Sequence, residues 1–163
     1  MTPHTPPTVR TATRDDLAAL VELTGAFRDH LAHATPLADA LAVGLVRLLA
    51  DPDTQFALAL APGDRPLGYV QCRYRFSLWT GAPDVELEDV FVTPAARRCG
   101  VGVALIDFVL AEARRRGCRL ACLATNERNR PALSLYERLG FSPARARWQG
   151  GRQLWLERPL EDT

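Results

Sequence analysis

The sequence contains no lysine, and all 20 of its basic residues are arginine. Asparagine is nearly absent, occurring only at Asn126 and Asn129. Codon bias of a GC-rich genome accounts for most of this pattern, but it makes each retained asparagine worth inspecting. Without lysine, a phosphate-binding P-loop is excluded, because that motif needs a lysine to reach the β- and γ-phosphates. Cysteine is sparse. Cys72, Cys99, Cys118 and Cys122 are scattered with no CxxC pair, and Cys118 and Cys122 have no histidine nearby. That spacing argues against a zinc site and against a disulfide scaffold, and leads us to expect reduced thiols and no metal. Long apolar runs are missing too. Leu37–Ala50 and Val101–Ala113 are the longest, and Arg47 and Asp107 interrupt them, so no membrane partner is expected. Residues Met1–Thr8 carry three prolines and no apolar run, which reads as a flexible leader and not as a signal peptide. A cytoplasmic location is the expectation.

What remains is 163 residues, 47% apolar, with a net charge of +1. That length and apolar fraction suit one domain with a real core, placed at residues 9–163. The near-zero charge argues against a polybasic nucleic-acid wrapper. Arg114, Arg115, Arg116 and Arg119 form the only basic cluster singled out, and a solvated helix end explains it, because cations suit the helix dipole there. No nucleic-acid partner is expected.

Periodicity and turn residues set out the elements. Val9–Ala12 reads as a short strand. Asp15 followed by Leu17, Leu20, Val21, Leu23 and Phe27 predicts an amphipathic helix, and Leu37, Leu41, Leu45, Leu48 and Leu49 a second. Phe56–Leu60 and Leu67–Trp79 read as a hairpin about Pro62-Gly63-Asp64, and Val85–Val92 as the next strand. A helix is predicted from about Gly102 to Arg116, closed by Gly117, then a buried parallel strand at Leu120–Ala124. Pro131–Leu139 is the fourth helix, and Ala146–Leu160, broken at Gly150-Gly151, a final hairpin. The fold class is therefore α/β (α+β mixed): a mixed sheet of six or seven strands with helices on both faces. The crossover from Val85 to Ala124 is expected to be right-handed.

The densest chemical signal is the stretch from Val90 through Gly102. A strand ends, a loop bearing arginine and glycine follows, and a helix begins. Backbone N–H groups at a helix start lack partners and favour an anion. Gly100 and Gly102 permit close backbone approach, and Arg97 and Arg98 offer charge-assisted bonds. Pyrophosphate binding is the chemistry implied, although a plain tight loop would look the same locally. Dinucleotide binding fits less well, since Gly100-Val-Gly-Val-Ala-Leu lacks the third glycine and lies late in the chain.

Residues 85–141 resemble the GNAT superfamily of acetyl-CoA-dependent N-acetyltransferases. The resemblance is carried by Arg97-x-x-Gly100-x-Gly102, similar to that family's pyrophosphate signature. It is carried also by Asn129-x-Pro-Ala-x-x-Leu-Tyr136-Glu-x-x-Gly140-Phe141, similar to its late helix. The stretch Leu87-Glu88-Asp89-Val90-Phe91-Val92 resembles the polyamine (spermidine/spermine-type) and small-amine branch. The resemblance implies acetyl-CoA as co-substrate, an amine acceptor and, as in many relatives, a homodimer. It implies that Val90, Phe91 and Val92 run beside the pantetheine arm, with a backbone N–H near Val90 polarising the thioester carbonyl. Arg97, Arg98, Cys99, Gly100, Val101, Gly102 and Val103 would hold the pyrophosphate. Asn129 would contact the cofactor, and Tyr136 would protonate the leaving thiolate. Each has a plainer reading. A tyrosine among Leu133, Leu135 and Leu139 serves as core, and asparagine two residues before a proline suits a helix start. Asn126 suits a turn.

The base that takes the amine proton is sought in Val85–Val92. Strict alternation puts Glu86 and Glu88 on one face with Val90 and Val92, and Asp89 on the other. Two neighbouring carboxylates would raise one another's pKa. A bulge, frequent in this strand of the family, would reverse that facing. Glu88 is the first choice, matching the acidic position of the polyamine branch, and Glu86 the second. Pairing with Arg73 or Arg75, or a water relay, is the alternative. The family builds its acceptor pocket from regions that here hold His30, His33, Tyr74, Phe76, Trp79, Trp148 and Trp155, and aromatic residues could hold a cation. The function implied is acetyl transfer to a primary amine of a small molecule. A protein amine as acceptor, or an acyl-CoA-binding regulatory domain without catalysis, are the alternatives.

Overall fold

The computed structural model describes residues 6–143 and 156–160 of the chain. These divide into two compact units, residues 1–124 and 125–163.

The first unit is a five-stranded sheet in the order β1-β2-β3-β4-β5, with helices α1, α2 and α3. The strands are β1 (Thr8–Thr11), β2 (Thr54–Leu60), β3 (Pro66–Ser77), β4 (Ala82–Val92) and β5 (Leu120–Leu123). The helices are α1 (Leu17–His30), α2 (Ala38–Leu49) and α3 (Val101–Arg115). The first four strands pair antiparallel and β5 joins β4 in parallel, as the apolar run after a helix predicts. Five strands stand where six or seven are expected. The difference lies in the proposed last hairpin: residues 146–155 are outside the described residues, and 156–160 form no strand.

Period-two side chains explain the layering. Phe56, Leu58 and Leu60 of β2 join Leu20, Leu23 and Leu45 of α1 and α2 in one core cluster, with Tyr69 and Phe91 from β3 and β4. The interleaved Ala57 and Ala59 are also fully buried, and α3 covers that opposite side with Leu105, Ile106 and Val109. β2 is thus covered on both faces. Arg10 on β1 grips the Asp16 carboxylate with both guanidinium ends at 2.7 Å, and Asp16 accepts the Thr13 N–H at 2.8 Å. These bonds hold the Asp16 pKa down to about 2, so the tie is present at neutral pH and lost as pH falls toward that value.

Glycine matters at one place in this sheet. Gly68 on β3 lies between Ala59 and Val92, and a Cβ built there would collide with the Phe91 carbonyl oxygen and sit 3.1 Å from Val92 Cα. β3 and β4 approach closely at the end of β4 only because that atom is missing.

The second unit holds α4 (Arg130–Arg138). Asn129 caps it, its Oδ1 accepting the Ala132 N–H at 3.4 Å. Asn126 closes the turn before it, Oδ1 accepting the Arg128 N–H at 2.8 Å. Gly140, at φ 87°, ends the helix, and the Phe141 N–H returns to the Tyr136 carbonyl at 2.9 Å.

Gly68→Ala should cost about 1–3 kcal/mol through forced overpacking of the β3–β4 pair. Thermal unfolding reads this directly, and an unchanged midpoint would show that β4 can yield there without penalty.

Candidate active site

β4 changes character at Glu88. Leu87 pairs with Cys72 and Asp89 with Gln71, so Glu88 is one extra residue without a partner on β3. This is a bulge. It falls where the parallel ladder with β5 ends, since that ladder spans only Asp84–Leu87. Beyond it, Val90, Phe91 and Val92 pair with Val70, Tyr69 and Gly68, and among the described residues no strand pairs with their other edge. The backbone groups on that edge are free of any ladder.

The bulge overturns the facing expected from strict alternation. Glu86 and Glu88 do not share a face with Val90 and Val92. Asp89 and Phe91 turn toward α1 and α2 instead: Phe91 packs on Phe27 with ring centroids 5.2 Å apart, and Asp89 lines a cavity beneath those helices. Glu88 is engaged by Arg73, whose Nε donates to Oε1 at 2.9 Å, and by the Gln71 amide. Glu86 pairs with Arg75 at 3.2 Å. The pairing alternative for these two carboxylates is what the structure contains.

The cavity measures about 360 Å³ and is shaped by α1, α2, their connecting loop, β3 and β4. Phe27, Leu31, Leu41, Leu45 and Leu48 form its walls. Asp89, Tyr69 and Gln71 line it from the sheet, and Arg28 and His33 from α1 and the loop that follows. The Tyr69 hydroxyl donates to Asp89 Oδ2 at 3.3 Å. Burial pushes the Asp89 carboxyl above the ordinary carboxylate range; the Tyr69 bond opposes that rise and the nearby Glu88 charge adds to it. A carboxyl so placed can accept a proton from a bound ammonium. Asp89 was not among the residues favoured from sequence, because only the bulge brings it to this face.

The loop after β4 leads into α3. Arg97 Nε donates to the Val92 carbonyl at 3.1 Å, tying the loop to the strand end. Arg98 has φ 63° and Gly100 φ 80°, so two left-handed residues reverse the chain before the helix. The first α3 bond runs from the Ala104 N–H to the Gly100 carbonyl at 3.0 Å. It leaves the N–H groups of Val101, Gly102 and Val103 without intrahelical partners. A Cβ at Gly100 would meet nothing within 4 Å, so open space faces this turn. Arg97 and Arg98 are exposed, and Cys99 is half-buried with Sγ 3.4 Å from the Arg97 carbonyl. Three N–H groups without intrahelical partners, the exposed Arg98 guanidinium, the exposed Arg97 beside it and an uncrowded glycine fit a pyrophosphate.

Of the remaining candidates, His33 lines the cavity and the His30 ring lies 6.3 Å from Phe91. Tyr74 is buried, its hydroxyl donating to Gln55 at 2.7 Å and Arg116 stacking on its ring. It is a structural residue of the α3 side. Phe76 and Trp79 are exposed near the β3–β4 turn. Trp148 and Trp155 lie outside the described residues. In the second unit the Tyr136 ring meets Phe141 edge-on at 6.0 Å, and burial pushes its phenol above the ordinary value. No helix among the described residues is long and apolar enough to cross a membrane.

Comparison with known proteins agrees with this geometry. The model of the acetyltransferase (GNAT) family matches residues 20–141. An N-acetyltransferase of Bacillus subtilis (strain 168) is 31% identical over 133 residues, 82% of this chain and 88% of that protein. Thialysine N-epsilon-acetyltransferase of Mus musculus is 37% identical over 84 residues, 49% of each chain. The chain thus spans about half the length of the thialysine enzymes it matches. Aminoalkylphosphonate N-acetyltransferase of Salmonella typhimurium is 30% identical over 109 residues, 64% of this chain and 68% of that one. Among solved structures, an aminoglycoside N-acetyltransferase in complex with CoA superposes with a TM-score of 0.77 at 22% identity, over 97% of this chain and 99% of that one, a likeness of fold.

Asp89→Asn should raise the thermal midpoint at neutral pH. A carboxyl whose folded pKa lies above its unfolded value costs stability once ionised, and the cost disappears as pH falls through the folded value. The gap between variant and wild type should therefore close on acidification. A lower midpoint for the variant at neutral pH would mean that the ionised Asp89 stabilises the fold.

Proposed function

The chain belongs to the GNAT acetyltransferase family, and on that footing we propose that it moves the acetyl group of acetyl-CoA to the primary amine of a small molecule, by direct attack in a ternary complex. One observation carries the reading: a single strand, β4, holds both the cavity carboxylate Asp89 and, in the next three residues, a backbone edge free of any ladder.

Acetyl-CoA supplies the activated acyl group. The unpaired N–H groups of Val101, Gly102 and Val103, with Arg97 and Arg98, would take its pyrophosphate. The free edge of Val90, Phe91 and Val92 would bond the amides of its arm like an added strand. A backbone N–H near Val90 would stabilise the carbonyl oxygen as it gains negative charge. Asn129, already occupied as the α4 cap, would have only a secondary share in cofactor binding.

The proton acceptor is assigned to Asp89 in preference to Glu88 or Glu86. An ammonium entering the cavity meets Asp89, whose raised pKa brings it closer to the range in which a carboxylate works as a base. Glu88 and Glu86 are held by Arg73 and Arg75. Tyr136 is the proposed acid. Its raised pKa keeps the phenol protonated at neutral pH, ready to give a proton to the departing thiolate. Small-amine acceptors are supported by the names of relatives, which act on thialysine and on aminoalkylphosphonates.

Acetyl-CoA should raise the thermal midpoint of the wild type and release thiol when amines are added. Gly100→Asp should strip most of that thermal shift, because it sets a carboxylate and a left-handed β-carbon at the pyrophosphate turn. A full shift in that variant would remove the loop from the cofactor site. A shift without thiol release from any amine would mark a binding domain and not an enzyme.

Tyr136→Phe should lower kcat by about 10²-fold, the usual scale for losing a positioned acid, while leaving the acetyl-CoA shift intact. Unchanged kcat would take the acid role from Tyr136.

A further inference from the structure

The resemblance of Leu87–Val92 to a polyamine branch leads one to look for several carboxylates around the acceptor. β4 does supply four acids, but three are held by other partners, Glu88 by Arg73 and by Gln71, which itself lines the cavity. Asp84 accepts the Thr80 hydroxyl at 3.0 Å and is buried. Glu86 is paired to Arg75, and Glu88 to Arg73 and Gln71. Among the described residues, Asp89 is the one carboxylate lining the cavity.

The rest of the lining has the opposite bias. Phe27, Leu31, Leu41, Leu45 and Leu48 give it apolar walls. Arg28 adds a guanidinium that is ion-paired with Asp29, Nη2 to Oδ1 at 2.6 Å, and held by Nη1 donating to the Pro36 carbonyl at 2.8 Å. Asp29 itself does not line the cavity. His33, on the loop after α1, also lines the cavity.

We infer that the acceptor is a primary amine with one positive charge on a compact apolar body, and that this site selects against polyamines and other polycations. This rests on the acetyl-transfer reading above and narrows it. The single ammonium docks on Asp89, with Tyr69 and Gln71 beside it. The body displaces water from the leucine and phenylalanine walls. A second ammonium would lose its hydration among those walls or stand against Arg28, with no second lining carboxylate among the described residues. An uncharged or anionic far end suffers neither penalty. The selection arises from what the cavity repels as much as from what it holds.

A matched panel tests this: hexylamine, 6-aminohexanoate and 1,6-diaminohexane share one body length and differ at the far end, and spermidine extends the series. Thiol release should give kcat/KM values for hexylamine and 6-aminohexanoate about tenfold or more above those for the diamine and spermidine. In Arg28→Gln the ratio of the hexylamine to the diamine kcat/KM should shrink at least several-fold. A diamine or spermidine used as well as hexylamine by the wild type would overturn the inference. So would an absence of turnover with the whole panel when acetyl-CoA still stabilises the protein, since the acceptor class would then be wrong and the cofactor reading intact. Failure of acetyl-CoA to stabilise the protein at all would overturn both.

Discussion

One inserted residue, Glu88, sets the geometry on which the site depends. A strand has only two facings, so a single extra residue exchanges them for everything that follows. Before the bulge, β4 is an interior strand with β3 on one side and β5 on the other. After it, β4 keeps β3 alone among the described residues. The same insertion moves Asp89 under the helices and Glu88 into the reach of Arg73. Free backbone edge and cavity carboxylate are thus two consequences of one register shift. Gly68 is its companion, because the strand beyond the bulge lies too close to β3 for any β-carbon there.

The scaffold around the bulge is rigid for ordinary reasons. Tyr69, Phe91 and Phe27 form a contiguous aromatic group, with centroids 5.2–6.4 Å apart, that anchors β4 to α1. The Tyr69 ring belongs to the core while its hydroxyl bonds Asp89. Core packing therefore aims the functional carboxyl, and a loss of packing there would also loosen the site. Keeping Asp89 ionisable in this setting costs stability, which the aromatic group and the β2 core offset.

Most elements were legible from sequence because they rest on periodicity and turn residues. Leucine spacing placed α1 and α2 to within a few residues, and Gly117 and Gly140 marked two helix ends. The ends of β3 and β4 were less legible. The next strand is expected to start at Val85, yet the ladder runs back through Pro83 to Ala82, opposite Phe76 and Ser77. Proline is tolerated that near a strand start. The turn that leads into α3 was legible, since a left-handed Gly100 marks it directly. Asp89 was not, because a bulge leaves no mark in residue type and alternation alone points the wrong way. Asn129 and Asn126 show the converse, with the plain cap and turn readings both realised.

The absence of lysine acquires a physical role at this site. Arg73 and Arg75 bind the two neighbouring carboxylates, and arginine does not lose its proton under any condition the fold survives. The Glu88 bond raises the Arg73 pKa further. A lysine would hold those acids with a compact point charge that desolvation can remove. With arginine the acids stay engaged. Arg28 likewise lines the cavity as a guanidinium, paired with Asp29. Arginine therefore holds the acids beside Asp89 and leaves Asp89 as the carboxylate that lines the cavity among the described residues.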